Sequence, residues 1–160
     1  MDKAHNRMGI FWGILRIVMG WTFLWAFLDK TFGLGFATTA ENSWLAGGSP
    51  TAGFLANAPQ GPLAGIFQSL AGSGLVDWLF MLGLLGVGVS LIFGIVTRLG
   101  AIAGAAMLAL MYFAVLPPEN NPFIDDHIVY ILVMVGLVLS RAGNHLSITG
   151  GNLQTKNHQS

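Results

Sequence analysis

The chain has 160 residues, of which 54% are hydrophobic and only 9% charged, with a mean hydropathy of +0.67 and a formal net charge of zero. A soluble domain carries about 25% charged residues, and a chain this short cannot enclose so much apolar surface in a core of its own, so the lipid bilayer is expected to be its solvent and main partner. Zero net charge gives no electrostatic case for nucleic acid. The absence of cysteine excludes disulfides, cysteine-held iron–sulfur clusters, c-type haem attachment and thiol redox chemistry.

In chain order, the first expected span covers residues 9–28. It is too long for the apolar region of a signal peptide, contains Arg16, and is followed by no clean small-residue cleavage site, so it reads as a retained helix. A second span is expected over 75–96, charge-free apart from Asp77 in its first turn, and Thr97-Arg98 is expected to form a tight turn. The third span, 99–116, stops at Pro117-Pro118, because proline has no backbone donor with which to continue a helix. The fourth, 122–140, has Asn121 placed as an N-cap and Pro122 at the first helical position.

Lys3, Arg7, Arg98, Arg141 and Lys156 fall on one side of this arrangement. The other side holds Lys30 alone among Asp29, Glu41, Asp77, Glu119, Asp125 and Asp126. The positive-inside rule then puts both termini in the cytoplasm. The expected fold class is all-α, a polytopic transmembrane four-helix bundle in the cell's inner (plasma) membrane. Its parts are a transmembrane domain over 1–143, with a long extracytoplasmic cap over 29–73 between helices 1 and 2, and a polar cytoplasmic tail over 144–160. Within the cap, 63–70 has the pattern of a short amphipathic helix. Small residues four apart (Gly9 and Gly13, then Gly86, Ser90 and Gly94, then Gly100 and Gly104) are candidates for close helix approach.

Candidate chemistry sits in two places. Arg16 lies about 10 Å along the first helix from Gly9. It either snorkels to the cytoplasmic headgroups or faces the bundle interior, to hold an anion or carbonyl or to form a buried pair with another helix. On the fourth span Asp126, His127 and Tyr130 can share a helix face, with Lys30 and Asp29 on the same side of the membrane. A carboxylate beside a histidine holds its tautomer or relays a proton, whereas Asp125 suits the positive end of the helix dipole. His127 is the only intramembrane histidine, which argues against a b-type haem, and neither a metal-ligand pattern nor a phosphate-binding glycine loop is present. No haem, metal or flavin is expected, and a redox role needs a lipid-soluble carrier or a cofactor held by a partner.

The stretch Leu15-Arg16-Ile17-Val18-Met19-Gly20-Trp21, followed by Phe23, Leu24 and Asp29-Lys30, resembles the N-terminal pattern of the DoxX/DoxD membrane proteins. Gly94 with Thr97-Arg98-Leu99-Gly100, and Asn121-Pro122 with Asp126-His127 and Tyr130, extend the resemblance over roughly residues 9–143. It implies a four-helix membrane protein tied to respiratory or sulfur redox systems, similar to subunits of thiosulfate:quinone oxidoreductase, with quinone as diffusible acceptor. On that model Arg16 and Lys30, with Tyr130, would bind substrate or a quinone carbonyl, and Asp126 and His127 would handle protons catalytically. A second redox subunit or a further copy of the chain is the implied protein partner. The competing readings are a non-catalytic membrane anchor or assembly subunit of a redox complex, and a small transport or lipid-binding protein. Transport is the weakest, since the inner halves of the second and third spans carry almost no polar groups.

Overall fold

The computed structural model describes residues 2–118, 121, 123–140 and 147–148, with side chains from residue 7 onward. All regular structure among the described residues is helical. Helix α1 (Asp2–Phe32) has 31 residues, about 46 Å at 1.5 Å per residue, and runs past both expected ends because no proline interrupts it. It stops at Gly33, whose φ of 65° leaves the helix. The turn is held by Asp29, whose carboxylate accepts the backbone N–H groups of Phe36 and Ala37 at 3.2 and 3.0 Å.

The following segment folds into short pieces. Helical turns at Ala40–Asn42 and Trp44–Ala46 precede α2 (Ala52–Asn57), and a turn at Gly61–Leu63 leads into α3 (Ala64–Gln68). Helices α4 (Gly74–Phe93), α5 (Thr97–Ala114) and α6 (Asp126–Leu139) complete the fold. Among the described residues three helices are long and apolar enough to cross a membrane: α1 from Arg7, α4 and α5. With 14 residues α6 reaches only about 21 Å, short of the ~30 Å hydrocarbon thickness.

Two helix ends differ from expectation for local reasons. The turn between α4 and α5 is made by Gly94–Val96 rather than by Thr97-Arg98, which begin α5. Gly94 takes the left-handed conformation (φ 72°) that ends helices, and Ser90 Oγ donates to the carbonyl of Ile95 at 2.7 Å, securing the reversal. Asn121 does not cap α6. Its side-chain oxygen accepts the N–H groups of Phe123 and Ile124 in a local turn, and Asp125 takes the N-cap instead. Pro122 lies outside the described residues, as do most of 144–160; of that tail, Ile148 donates its N–H to the carbonyl of Phe93 at 3.1 Å.

Helix α1 packs on α4, α4 on α5, and α5 on α6. Trp12 reaches Gly136, bringing α6 back to α1. One apolar core draws on all of them, through Met19 and Phe23, Met81 and Leu91, Leu108, and Met134. Large apolar side chains also cover the outside, among them Trp21, Leu82, Leu99 and Leu132, as expected of a surface meeting lipid rather than water.

Glycines permit the closest approaches, though not all of those expected from spacing. A Cβ on Gly88 would sit 2.9 Å from the backbone nitrogen of Leu24, and one on Gly20 would meet the backbone of Ile92 at 2.8 Å. Gly104 faces Met134 and Val87, whereas nothing lies near Gly86. Gly88→Val is therefore expected to push α1 from α4 and to destabilise the protein by about 2–3 kcal/mol, the cost of overpacking a tight contact. Gly86→Val should leave stability nearly unchanged. Thermal denaturation in detergent, followed by helical circular dichroism, compares the two, and equal effects would refute this packing account.

Candidate functional site

The antiparallel packing gives the molecule two ends. The turn end carries Gly94–Val96, and the cap end carries the end of α1, residues 33–73 and the start of α6.

Arg16 belongs to the turn end. It is completely buried. Gly94 and Ser147 lie close together there, and any Cβ on Gly94 would overlap both Ser147 and the Arg16 guanidinium. The cation thus sits at the C-terminus of α4, where the last carbonyls lack intrahelical partners and the helix dipole is negative. The arginine is accommodated by burial among the helices.

The start of α6 is far from Arg16. Tyr112 donates its hydroxyl to the carbonyl of Phe123 at 2.7 Å, placing that segment beside the end of α5. The rise of α5 from Thr97 to Tyr112 is about 22 Å. Here Asp125, not Asp126, partners the histidine: its Oδ2 lies 2.6 Å from His127 Nδ1. Its Oδ1 accepts the N–H groups of His127 and Ile128 at 3.0 and 3.3 Å. The reason is geometric. Asp125 is the extended N-cap (φ −127°, ψ −174°), so its side chain folds back over the first turn. Neighbours on a helix such as Asp126 and His127 diverge.

An ionised carboxylate only accepts, so wherever Asp125 is ionised this contact uses the Nδ1–H of His127 as its donor. Asp126 and Tyr130 make no hydrogen bond among the described residues, and the structure does not join them to His127. Asp125→Ala should cost about 1 kcal/mol, the usual worth of an N-cap, and Asp126→Ala much less. Thermal unfolding of both variants in detergent reads the difference, and a reversed order would contradict the assignment of the cap.

Lys30 occupies different surroundings. A cavity of about 430 Å³ lies at the cap end, bounded by the cap, α4 and α5, with Lys30 of α1 in its wall. The cap contributes Thr51, Phe54 and Phe67, α4 contributes Val76 and Phe80, and Met107 is the innermost residue of α5 in the lining. Among the described residues Lys30 is the only charged one in that wall. Its ammonium makes no hydrogen bond or ion pair among the described residues, since the adjacent Asp29 is committed to the backbone beyond α1. Leu79 and Leu110 also line the cavity yet are 64% and 60% exposed, so this part of its wall reaches the outer apolar surface of α4 and α5. An apolar chamber with a cation in its wall, reaching the outer apolar surface of two helices, suits an amphipathic molecule whose head accepts a hydrogen bond or carries negative charge. Of the candidate residues, only Lys30 lines it; Arg16, Asp126, His127 and Tyr130 do not.

Asp77 is a functional candidate that the sequence marks only as an isolated charge in an apolar span. It is buried, and its Oδ1 accepts from Ser49 Oγ (2.8 Å), Thr51 Oγ1 (2.6 Å) and the Thr51 N–H (3.2 Å). Next to it Trp78 stacks edge-to-face with Trp44, centroids 4.6 Å apart, so the cap is fastened to α4 by adjacent polar and aromatic contacts. Comparison of the chain with protein-family models, with curated proteins and with solved structures returns no match.

Proposed function

We propose that this chain is a membrane-embedded, quinone-linked redox protein whose quinone site is the cavity beside Lys30. The observation that carries the proposal is the cavity itself: an apolar chamber of about 430 Å³ with Lys30 as the one charged residue among the described residues that line it, its wall reaching the outer surface of two helices that are apolar enough to lie in lipid. A lipid-soluble carrier enters such a chamber from the bilayer, and a fixed ammonium favours the negative charge that develops on a carbonyl oxygen as it takes electrons. The resemblance to DoxX/DoxD proteins supports the same reading. It suggests thiosulfate or a related small reductant as donor, with electrons passing to the quinone pool.

In this proposal the chain is a four-helix bundle in the inner membrane. Its termini are cytoplasmic and its cap faces the extracytoplasmic side, as the charge bias of the loops favours. Lys30 binds the quinone carbonyl. Asp126 and His127, at the same end of the bundle, exchange protons with water, and Tyr130 is a secondary candidate.

The anchor reading draws on a separate observation, that Lys30 alone of the candidate residues reaches the cavity. The test is optical reduction of decyl-ubiquinone by the purified protein in nanodiscs, with thiosulfate, sulfite and sulfide offered in turn. Turnover with one donor supports the enzyme. No turnover, with a second protein co-purifying, favours the anchoring subunit.

A further inference from the structure

We infer that Ser49, Thr51 and Asp77 form the latch of a lid, and that its release opens a second, aqueous entrance to the Lys30 cavity. The inference rests on the reading above only for what the cavity holds.

The lid is the stretch from Ser49 to Asn57. Pro50, Thr51, Phe54 and Leu55 all line the cavity, so this stretch is its cover at the cap end. Pro50, Thr51 and Leu55 are themselves buried, which shows the cover seated on the body of the protein. What seats it is unusually concentrated. A single carboxylate oxygen of Asp77 receives every hydrogen bond that ties this stretch to α4 among the described residues.

On the far side of α2 the chain is fixed to α5 by its backbone. The N–H of Gln60 donates to the carbonyl of Ala114 at 3.3 Å, and Gly61 packs so near the carbonyl of Leu116 that a Cβ there would approach it to 2.6 Å. Gly61 also has φ of 70°, a conformation that glycine adopts without strain. The stretch therefore has a side-chain latch at one end and a glycine-centred attachment at the other. Loss of the first frees the stretch between the Trp44–Trp78 contact before it and the Gly61 attachment after it, and the latter serves as its hinge.

The two approaches differ in what they admit. The one past Leu79 and Leu110 is apolar and suits a lipid-soluble molecule. The mouth beneath the lid leads from water toward the Lys30 ammonium and suits a small water-soluble anion. A site that passes electrons from a dissolved reductant to a lipid-soluble acceptor needs both kinds of access.

The chain has no cysteine, so a single reporter thiol can be placed without background. Ala114→Cys puts it in the cavity wall at a position only 1% exposed. The rate of its modification by an anionic, membrane-impermeant methanethiosulfonate is measured in nanodiscs, with the latch intact and then with Thr51→Val or Asp77→Ala added. Val87→Cys, in the core at 2% exposure and outside the cavity lining, reports general loosening.

Removing the latch should speed modification at position 114 by about tenfold or more, as expected when the hydrogen bonds holding a local closure are lost, with little change at position 87. Equal rates with and without the latch would overturn the inference, and so would equal acceleration at both positions. The readout needs no quinone. Failure of quinone reduction alongside accelerated labelling would remove the redox reading and leave the lid. Reduction by a protein whose labelling ignores the latch would do the reverse.

Discussion

Lys30→Met is expected to abolish most quinone binding and reduction while leaving the protein as stable as before. Methionine keeps an unbranched apolar side chain, one atom shorter, and removes the ammonium with its charge and hydrogen-bond donors. A hydrogen bond from a charged donor in an apolar chamber contributes about 1.5–3 kcal/mol. Losing it corresponds to a drop of roughly 10-fold to 150-fold in affinity. Stability should be spared because the ammonium makes no hydrogen bond or ion pair among the described residues that folding would miss. Lys30→Arg should restore only part of the function, since the planar guanidinium is bulkier and directs its donors differently. Quinone titration and thermal denaturation on the same preparations check both halves. A stability loss that tracked the binding loss would mean that Lys30 is a structural cation.

Arg16 predicts the opposite pattern. Arg16→Leu should destabilise the bundle by about 3 kcal/mol, the scale for removing one member of a buried charged arrangement. Quinone affinity per folded molecule should survive, because Arg16 is at the turn end and outside the cavity. The substitution removes the cation from the C-terminus of α4, where the last carbonyls and the negative pole of the helix lie.

Gly94→Ala should be damaging for two separate reasons. A residue with a Cβ pays about 1–2 kcal/mol to hold the left-handed conformation. That Cβ would also overlap the guanidinium. The double variant should then lose less than the sum of the singles, since the overlap with the guanidinium disappears with the arginine while the overlap with Ser147 and the backbone strain remain. A double-mutant cycle in detergent, read by denaturation, checks this, and strict additivity would show that the two residues do not act on each other.

The comparison between Lys30 and Arg16 shows how far the sequence could be read. Both stand out as cations in apolar surroundings, so both were candidates for substrate contact. Their different surroundings come from what the folded chain brings near each of them. Gly94 is 78 positions after Arg16 in the numbering, and the apolar residues that build the Lys30 cavity resemble every other apolar residue of the chain.

Helix existence was legible where composition is strong, as in α4 and α5. Helix ends were less so, because they follow from side-chain bonds. Asp125 outcompetes Asn121 for the cap of α6, and the reversal after α4 includes Val96 at φ 44°, a conformation that β-branched residues rarely adopt and that no spacing rule anticipates. The fastening of the cap was hidden for a similar reason. Asp77 reads as one more acidic residue at a helix start until Ser49 and Thr51 are seen to meet it.

The most direct test of the account is photo-crosslinking of an azido-quinone to the purified protein in nanodiscs, with the labelled residues located by mass spectrometry. Labelling on the cavity faces of α4 and α5, around Val76–Phe80 and Met107–Ala114, that is lost in Lys30→Met and displaced by excess decyl-ubiquinone, is the predicted result. Specific labelling on α6 around His127, or beside Arg16, with the cavity residues untouched, would contradict the assignment of the Lys30 cavity as the quinone site.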